Sequence, residues 1–519
     1  MLFNSYEFIF LFLPITLAVF HLIGKQGRHR MAISWLVGSS LFFYGWWNPA
    51  YLGLMLFSIL FNYSVGVALG GVTNKKNKYI LVFGIVLNLF LLGYYKYANF
   101  FVKSINDIVD SDIVFNEVIL PLAISFFTFQ QISYLVDTYR GETREYNFLH
   151  YCLFVTFFPQ LIAGPIVHHK EMLPQFARDS LYSIKAKNIS IGITIFAIGL
   201  FKKVILADGI SVYATPVFNA ADTGVILTFF EAWGGALAYT FQLYFDFSGY
   251  SDMAIGIARM FGVRLPLNFN SPYKSTSIIE FWRKWHITLS RFLRDYLYIP
   301  LGGSYKGEME RLKNLIITML LGGLWHGAGW TFILWGGLHG FFLIVNTIWR
   351  RIRIKAKIRQ YKIFEFVSWV ITMICVVIAW VPFRSQSLDG AKNILSAMFG
   401  FNGMVWSPSW LGSGNELKLW LLDHGVVIQE MYRFGEFREL VLWILFMLVI
   451  VTTLPNVRQI MCKYGPTYEI YKGKVISYKN KYKYFKWNPN IYWAIFTSII
   501  FFMSVSSMTK VSEFLYFRF

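Results

Sequence analysis

Apolar runs long enough to cross about 30 Å of hydrocarbon follow one another along nearly the whole chain, beginning with Glu7 to Ile23 and Ala32 to Trp47, with short polar blocks between them. The pattern predicts an all-α polytopic membrane protein with about ten to twelve transmembrane helices, plus re-entrant and interfacial segments. Three regions depart from simple spanning helices. In residues 268–303 a polar stretch ends in Ser277 followed by Glu280, a capping box that starts a helix at Ile278. Along that helix Ile278, Trp282, Trp285, Leu289, Phe292 and Tyr296 share one face and Lys284, Thr288, Arg291 and Asp295 the other. Such a helix lies in the membrane interface with its tryptophans at headgroup depth. Residues 315–342 are apolar but carry seven glycines, among them Gly322, Gly323, Gly327, Gly336 and Gly340, which permit close helix packing or a broken helix lining a cavity. The third region, Ser385 to Arg438, is too long for a simple connector and is expected outside, where it rests on the bilayer or binds a partner.

Composition agrees with the pattern. Of 519 residues, 56% are apolar, 19% aromatic and 15% charged, so water is not the main solvent. The first apolar run lacks a basic residue before it and a small-residue cleavage site after it, and is read as an uncleaved span. A formal charge of +20 suggests nucleic acid, but the cations sit in blocks between apolar runs and form no continuous basic face, which excludes that partner. Orientation explains them better. Lys25/Arg28/Arg30, Lys75/Lys76/Lys78, Arg350 to Lys362 and Lys463 to Lys486 are expected in the cytoplasm, which puts the N-terminus and the aspartate-bearing segment 106–112 outside. Between about residues 140 and 303 mixed charges assign no side. The chain reads as one integral membrane domain: N-terminal helices over 1–240, catalytic core segments over 241–345, and C-terminal helices over 346–519 with an extracytoplasmic loop at 385–438. No internal repeat is visible, which counts against inverted-repeat transporter folds.

Among the nine histidines, His326 stands out because no Asp, Glu, Lys or Arg occurs between Lys313 and Arg350. An ionisable group in such a stretch is a functional candidate by default, and an imidazole kept neutral there is the form a general base needs; the alternative is a hydrogen-bonded structural histidine. His286 falls on the apolar side of the expected interfacial helix, either in the chemistry or as an aromatic facing headgroups. His339 is assigned to packing. No metal site is expected, since the only closely spaced histidines are His168 and His169, and the three cysteines have neither metal nor redox spacing. Asp246 and Asp252, in an apolar stretch, are expected to take hydrogen bonds from the arginines of the interfacial helix, orienting a histidine or stabilising a buried polar network. No nucleotide-binding glycine pattern and no nucleophile elbow is present, so direct transfer under general-base control is simpler than a covalent intermediate.

Several segments resemble the membrane-bound O-acyltransferase family, most of all its alginate O-acetyltransferase branch: Gln242-Leu-Tyr-Phe-Asp-Phe-Ser-Gly-Tyr-Ser-Asp-Met-Ala-Ile-Gly256, Glu280-Phe-Trp-Arg-Lys-Trp-His-Ile-Thr-Leu-Ser290, Leu293-Arg-Asp-Tyr-Leu-Tyr-Ile-Pro-Leu-Gly-Gly303 and Gly322-Gly-Leu-Trp-His-Gly327. Gly93 to Phe100, Ile124 to Tyr134 and Phe158 to Pro165 match further. The resemblance covers residues 1 to about 385. It implies that His326 matches the family's catalytic histidine and His286 its second histidine or asparagine. It also implies a central tunnel, with an acyl donor entering from the cytoplasm and an acceptor from outside. Asp246, Asp252, Arg283, Trp285, Arg291, Arg294, Asp295 and Trp325 become candidate substrate-binding residues; the arginines either hold donor phosphates or snorkel to headgroups.

The function expected is transfer of an acyl group, acetyl by resemblance, from a cytoplasmic thioester to a hydroxyl of an extracytoplasmic partner or an exported or cell-envelope polysaccharide, in a bacterial cytoplasmic membrane. No tightly bound cofactor is expected. The donor is acetyl-CoA or an acyl-carrier thioester, and the branch implies an extracytoplasmic partner of the SGNH-hydrolase type. The rival reading is a transporter or polysaccharide-export channel whose histidines relay protons or gate a pore; a third is a scaffold for a polysaccharide complex.

Overall fold

A computed structural model describes the chain except residues 71–74, 144–146, 358–360, 409–415, 430, 432, 434–436, 470–481, 509–513 and 516–519; the side chains of residues 75, 76 and 483 are also outside the description. Parts of three expected cytoplasmic basic blocks and of the 385–438 loop therefore lie outside the described residues. Helices dominate, and among the described residues the β-structure consists of two three-residue strands, Met404–Trp406 and Val426–Ile428, paired in parallel within the 385–438 segment, plus one isolated bridge between Pro266 and Tyr468.

Among the described residues six helical stretches are long and apolar enough to cross a membrane: Phe8–Lys25, Ala50–Leu69, Asn77–Val109, Ala186–Asp222, Trp330–Lys355 and Lys362–Arg384. The remaining apolar runs fold as shorter helices, such as His29–Gly45, Phe437–Thr453 and Ile491–Ser506, or as helices that carry charges, such as Glu308–His326. The protein is a polytopic, all-α membrane protein.

The chain packs as two compact units. The first comprises Met1–Phe201, Gly249–Asn268 and Val457–Arg518, the second Lys202–Ser248 and Phe269–Asn456. In the first unit, Phe3, Phe8, Phe43 and Phe158 are all buried and meet ring to ring. Polar groups inside it satisfy one another. Asn62 and Asn88 exchange amide hydrogen bonds of 3.1 and 2.7 Å, and Gln131 donates to the Ser58 hydroxyl at 2.7 Å while accepting from Tyr151 at 2.9 Å.

In the second unit the helices Glu308–His326 and Trp330–Lys355 form an antiparallel hairpin. Glycine makes the close approach possible: a Cβ on Gly323 would strike the Phe332 carbonyl, and one on Gly336 would strike the carbonyl of Met319. At the far end of the hairpin Arg351 pairs with Glu308. Short Gly-Ala-Gly chemistry between the helices (Gly327 to Gly329) leaves His326 as the last residue of the first.

The helix expected to run unbroken from Ile278 does not. It starts as predicted, with the Ser277 side chain accepting from the Glu280 amide at 3.2 Å and Lys284 paired to Glu280 at 2.7 Å. It stops at Lys284. Trp285 is extended, His286 takes φ 41° and ψ 54° in the left-handed region, and a second helix runs Ile287–Leu293 before widening into a π-turn over Arg294–Tyr298. Trp282 and Trp285 are buried in the unit's aromatic core.

Candidate functional site

The kink at Trp285–His286 builds the site. A left-handed backbone at a residue with a Cβ costs roughly 1–2 kcal/mol, and histidine tolerates it better than most side chains. The turn carries the His286 ring inward, 1% exposed, against Phe247 at 4.8 Å and within 6.4 Å of both Trp325 and His326. Burial holds its pKa down at about 3, so the ring is neutral throughout the physiological range.

His326 arrives from the other direction, at the end of the glycine-packed hairpin, and is buried. Its ring meets Trp335 edge-on at 4.9 Å, Trp325 at 5.0 Å and Phe383 at 5.2 Å. The two imidazole rings lie with centroids 6.4 Å apart and planes tilted by 59°. That spacing lets one hydroxyl oxygen lie within hydrogen-bond reach, about 3 Å, of a nitrogen on each ring. Trp285 packs behind, 4.9 Å from Trp380 and 5.0 Å from Phe269. Beside it, the Trp282 indole donates to His339 Nδ1 at 3.3 Å, which fixes the proton of a neutral His339 on Nε2.

Of the residues expected at the site, His286, His326, Trp325 and Trp285 therefore come together in one aromatic cluster. Arg291 is buried in the second short helix, and Arg283 is exposed. Arg294 is held by its neighbour Asp295 in a two-pronged pair of 2.7 and 3.1 Å, and both are partly exposed. The two aspartates fall in different units. Asp246 is bound by Lys203, at 2.7 Å, and the same ammonium reaches Asp208 at 2.8 Å. Asp252 is buried in the other unit, the one that does not contain His326. Among the described residues no cluster of three or more His, Cys, Asp or Glu side chains could hold a metal ion.

Three cage residues, Trp335, Trp380 and Phe383, were not anticipated, because a tryptophan in an apolar helix carries no signal of what it faces. Lys203 was legible. It lies in the apolar run Ala186–Asp222, and the rule that singled out Asp246 applies to it equally.

Comparison with known proteins fits this arrangement. The chain is 46% identical over 431 residues to the peptidoglycan O-acetyltransferase of Helicobacter pylori, covering 78% of this chain and 81% of that protein. It is 44% identical over 422 residues to the probable alginate O-acetylase of Pseudomonas aeruginosa, covering 80% and 78%. A more distant likeness, 27% over 271 residues and half of this chain, links it to the teichoic acid D-alanyltransferase of Bacillus subtilis, of which it covers 65%. The model of the membrane-bound O-acyltransferase family matches residues 77–383, a stretch that contains both histidines, and with a fold of apolar helices around them the chain belongs to that family and is an O-acyltransferase.

Proposed function

We propose that the protein moves an acetyl group from a thioester donor in the cytoplasm to a hydroxyl outside, with His326 as general base and His286 as the group that orients the acceptor and steadies developing charge. The observation that carries the reading is the pair of buried imidazoles, centroids 6.4 Å apart, in a cage of tryptophan and phenylalanine rings. In the reaction His326 takes the hydroxyl proton as the oxygen attacks the thioester carbonyl; the tetrahedral centre then collapses, the C–S bond breaks, and the proton leaves with the thiolate. The aromatic cage keeps water from competing as nucleophile. Trp325 and Trp285 shape the pocket, and Arg283, Arg291 and Arg294 are the candidates for holding the donor, with Asp295 aligning Arg294.

The relatives named for peptidoglycan and alginate support a cell-envelope or exported polysaccharide as the final acceptor, reached directly or through an extracytoplasmic partner of the SGNH type. A bacterial cytoplasmic membrane with the N-terminus outside accommodates this, since the basic runs then face the donor. The test is acetyl transfer from radiolabelled acetyl-CoA by the full-length protein in proteoliposomes, alongside mass spectrometry of envelope glycans with and without the protein. A folded His326→Ala variant should lose roughly 10²–10⁴-fold in transfer, and undiminished transfer rejects the assignment.

A further inference from the structure

Arg259, in the last turn of the Phe229–Met260 helix, is only 4% exposed. Among the described residues its Nε meets no hydrogen-bond acceptor, and no carboxylate pairs with it. A guanidinium taken out of water without a counter-ion is one of the costlier arrangements a fold can keep. Here the neighbouring charge makes it worse: burial first, then the like charge of Arg264, pull Arg259 down to about 10.

Arg264 is itself built in. The Gln175 side chain clamps its backbone in both directions, donating to its carbonyl at 3.0 Å and accepting from its amide at 2.9 Å. Its guanidinium lies beside Gly465, whose φ of +52° turns the chain there, 3.6 Å from where a Cβ would stand. Lys187 and Lys463 flank the adjacent Tyr464 ring at 5.0 and 5.6 Å. The same end of this unit carries the first basic block: Leu181 packs on Gly262, and its neighbour Tyr182 on Gly24 and the His29 ring. The runs beginning at Lys25 and Lys463, both of which the charge rule assigns to the cytoplasm, thus meet at one end.

Two adjacent arginines, one buried and lacking an anion, suit a group that offers several oxygens to planar forks of N–H donors. We propose that Arg259 and Arg264 form a binding site for a phosphate group on the cytoplasmic end of this unit, carried by the acyl donor or by an anionic phospholipid headgroup. The donor branch rests on the thioester reading above; the site itself does not.

The test uses the full-length chain in nanodiscs of phosphatidylcholine, in a His326→Ala background so that turnover plays no part. Adenosine 3′,5′-bisphosphate, a phosphate-rich probe without an acyl group, should raise the unfolding temperature of the parent and leave Arg259→Gln and Arg264→Gln unmoved. If the phosphate comes from lipid, doping the discs with phosphatidylglycerol gives that shift instead, again only with both arginines present. With His326 restored, a donor site predicts that Arg259→Gln raises KM for acetyl-CoA roughly ten- to a hundredfold and leaves KM for S-acetyl-N-acetylcysteamine, which has no phosphate, unchanged. Arg264→Gln carries the same tests on an exposed side chain should Arg259→Gln misfold. The proposal is overturned if neither the bisphosphate nor anionic lipid distinguishes parent from variants. Failure of acyl transfer with the binding shifts intact would reject only the thioester reading.

Discussion

Replacing Lys203 by methionine removes one cation from between two carboxylates, and the structure says which of them suffers. The ammonium is 2.7 Å from Asp246, 2.8 Å from Asp208, and 2% exposed. Asp208 is 26% exposed and can turn to water; Asp246 is 3% exposed and cannot. The cost is therefore set by Asp246, and breaking such a buried pair from one side costs about 3–5 kcal/mol. Asp246→Asn should be milder, about 1.5–3 kcal/mol, because Lys203 keeps Asp208 and loses one charged hydrogen bond. Joining Lys203→Met to Asp246→Leu should cost less than the two single changes together by about 1.5 kcal/mol or more, since both single changes break the same buried ion pair. Unfolding titrations in mixed micelles, followed by fluorescence of the 18 tryptophans, measure these variants together with the Asp246→Leu single change. A Lys203→Met protein as stable as its parent, or strictly additive changes, would refute the reasoning.

Gly336→Ala should destabilise by about 1–3 kcal/mol and reduce acyl transfer, because its Cβ meets the Met319 carbonyl and the Leu320 Cα at 3.1 Å, both backbone atoms that hold the hairpin ending in His326. Gly340→Ala should be milder in the same stability assay, its first obstacle being the movable tip of Ile316. Acid should weaken the fold through buried neutral histidines. His286 and His169 stay unprotonated when folded, each held down to about 3 by burial, whereas unfolded histidine takes its proton near 6.5. Stability is thus complete above about pH 6.5 and declines as pH falls towards 3, by up to about 1.4 kcal/mol per pH unit per histidine. His286→Asn should flatten that slope in pH-dependent unfolding; an unaltered slope contradicts the assignment.

Much of this protein was legible before any fold was known. Runs of apolar residues dictated helices in lipid, because a backbone without water must bond to itself. The same logic marked His326, an ionisable ring in a stretch without formal charge, and the Ser277–Glu280 box marked where its counterpart's helix begins. Motif likeness then paired His326 with His286. The periodicity failed at Trp285–His286. An apolar repeat of 3.6 continues on paper through a residue whose backbone turns left-handed, and nothing local announces the turn, since packing of Phe247, Phe269 and Trp325 around the ring is what holds it. Partner choice was likewise out of reach: Asp246 needed a cation, and that Lys203 supplies one depends on which helices become neighbours. Hydrophobicity and spacing, properties of each segment alone, determined that the chain lives in a membrane and which rings are candidates for chemistry. Which rings come together, and which charges are matched inside, was decided only when residues 40 and 43 positions apart, His286 with His326 and Lys203 with Asp246, shared one interior.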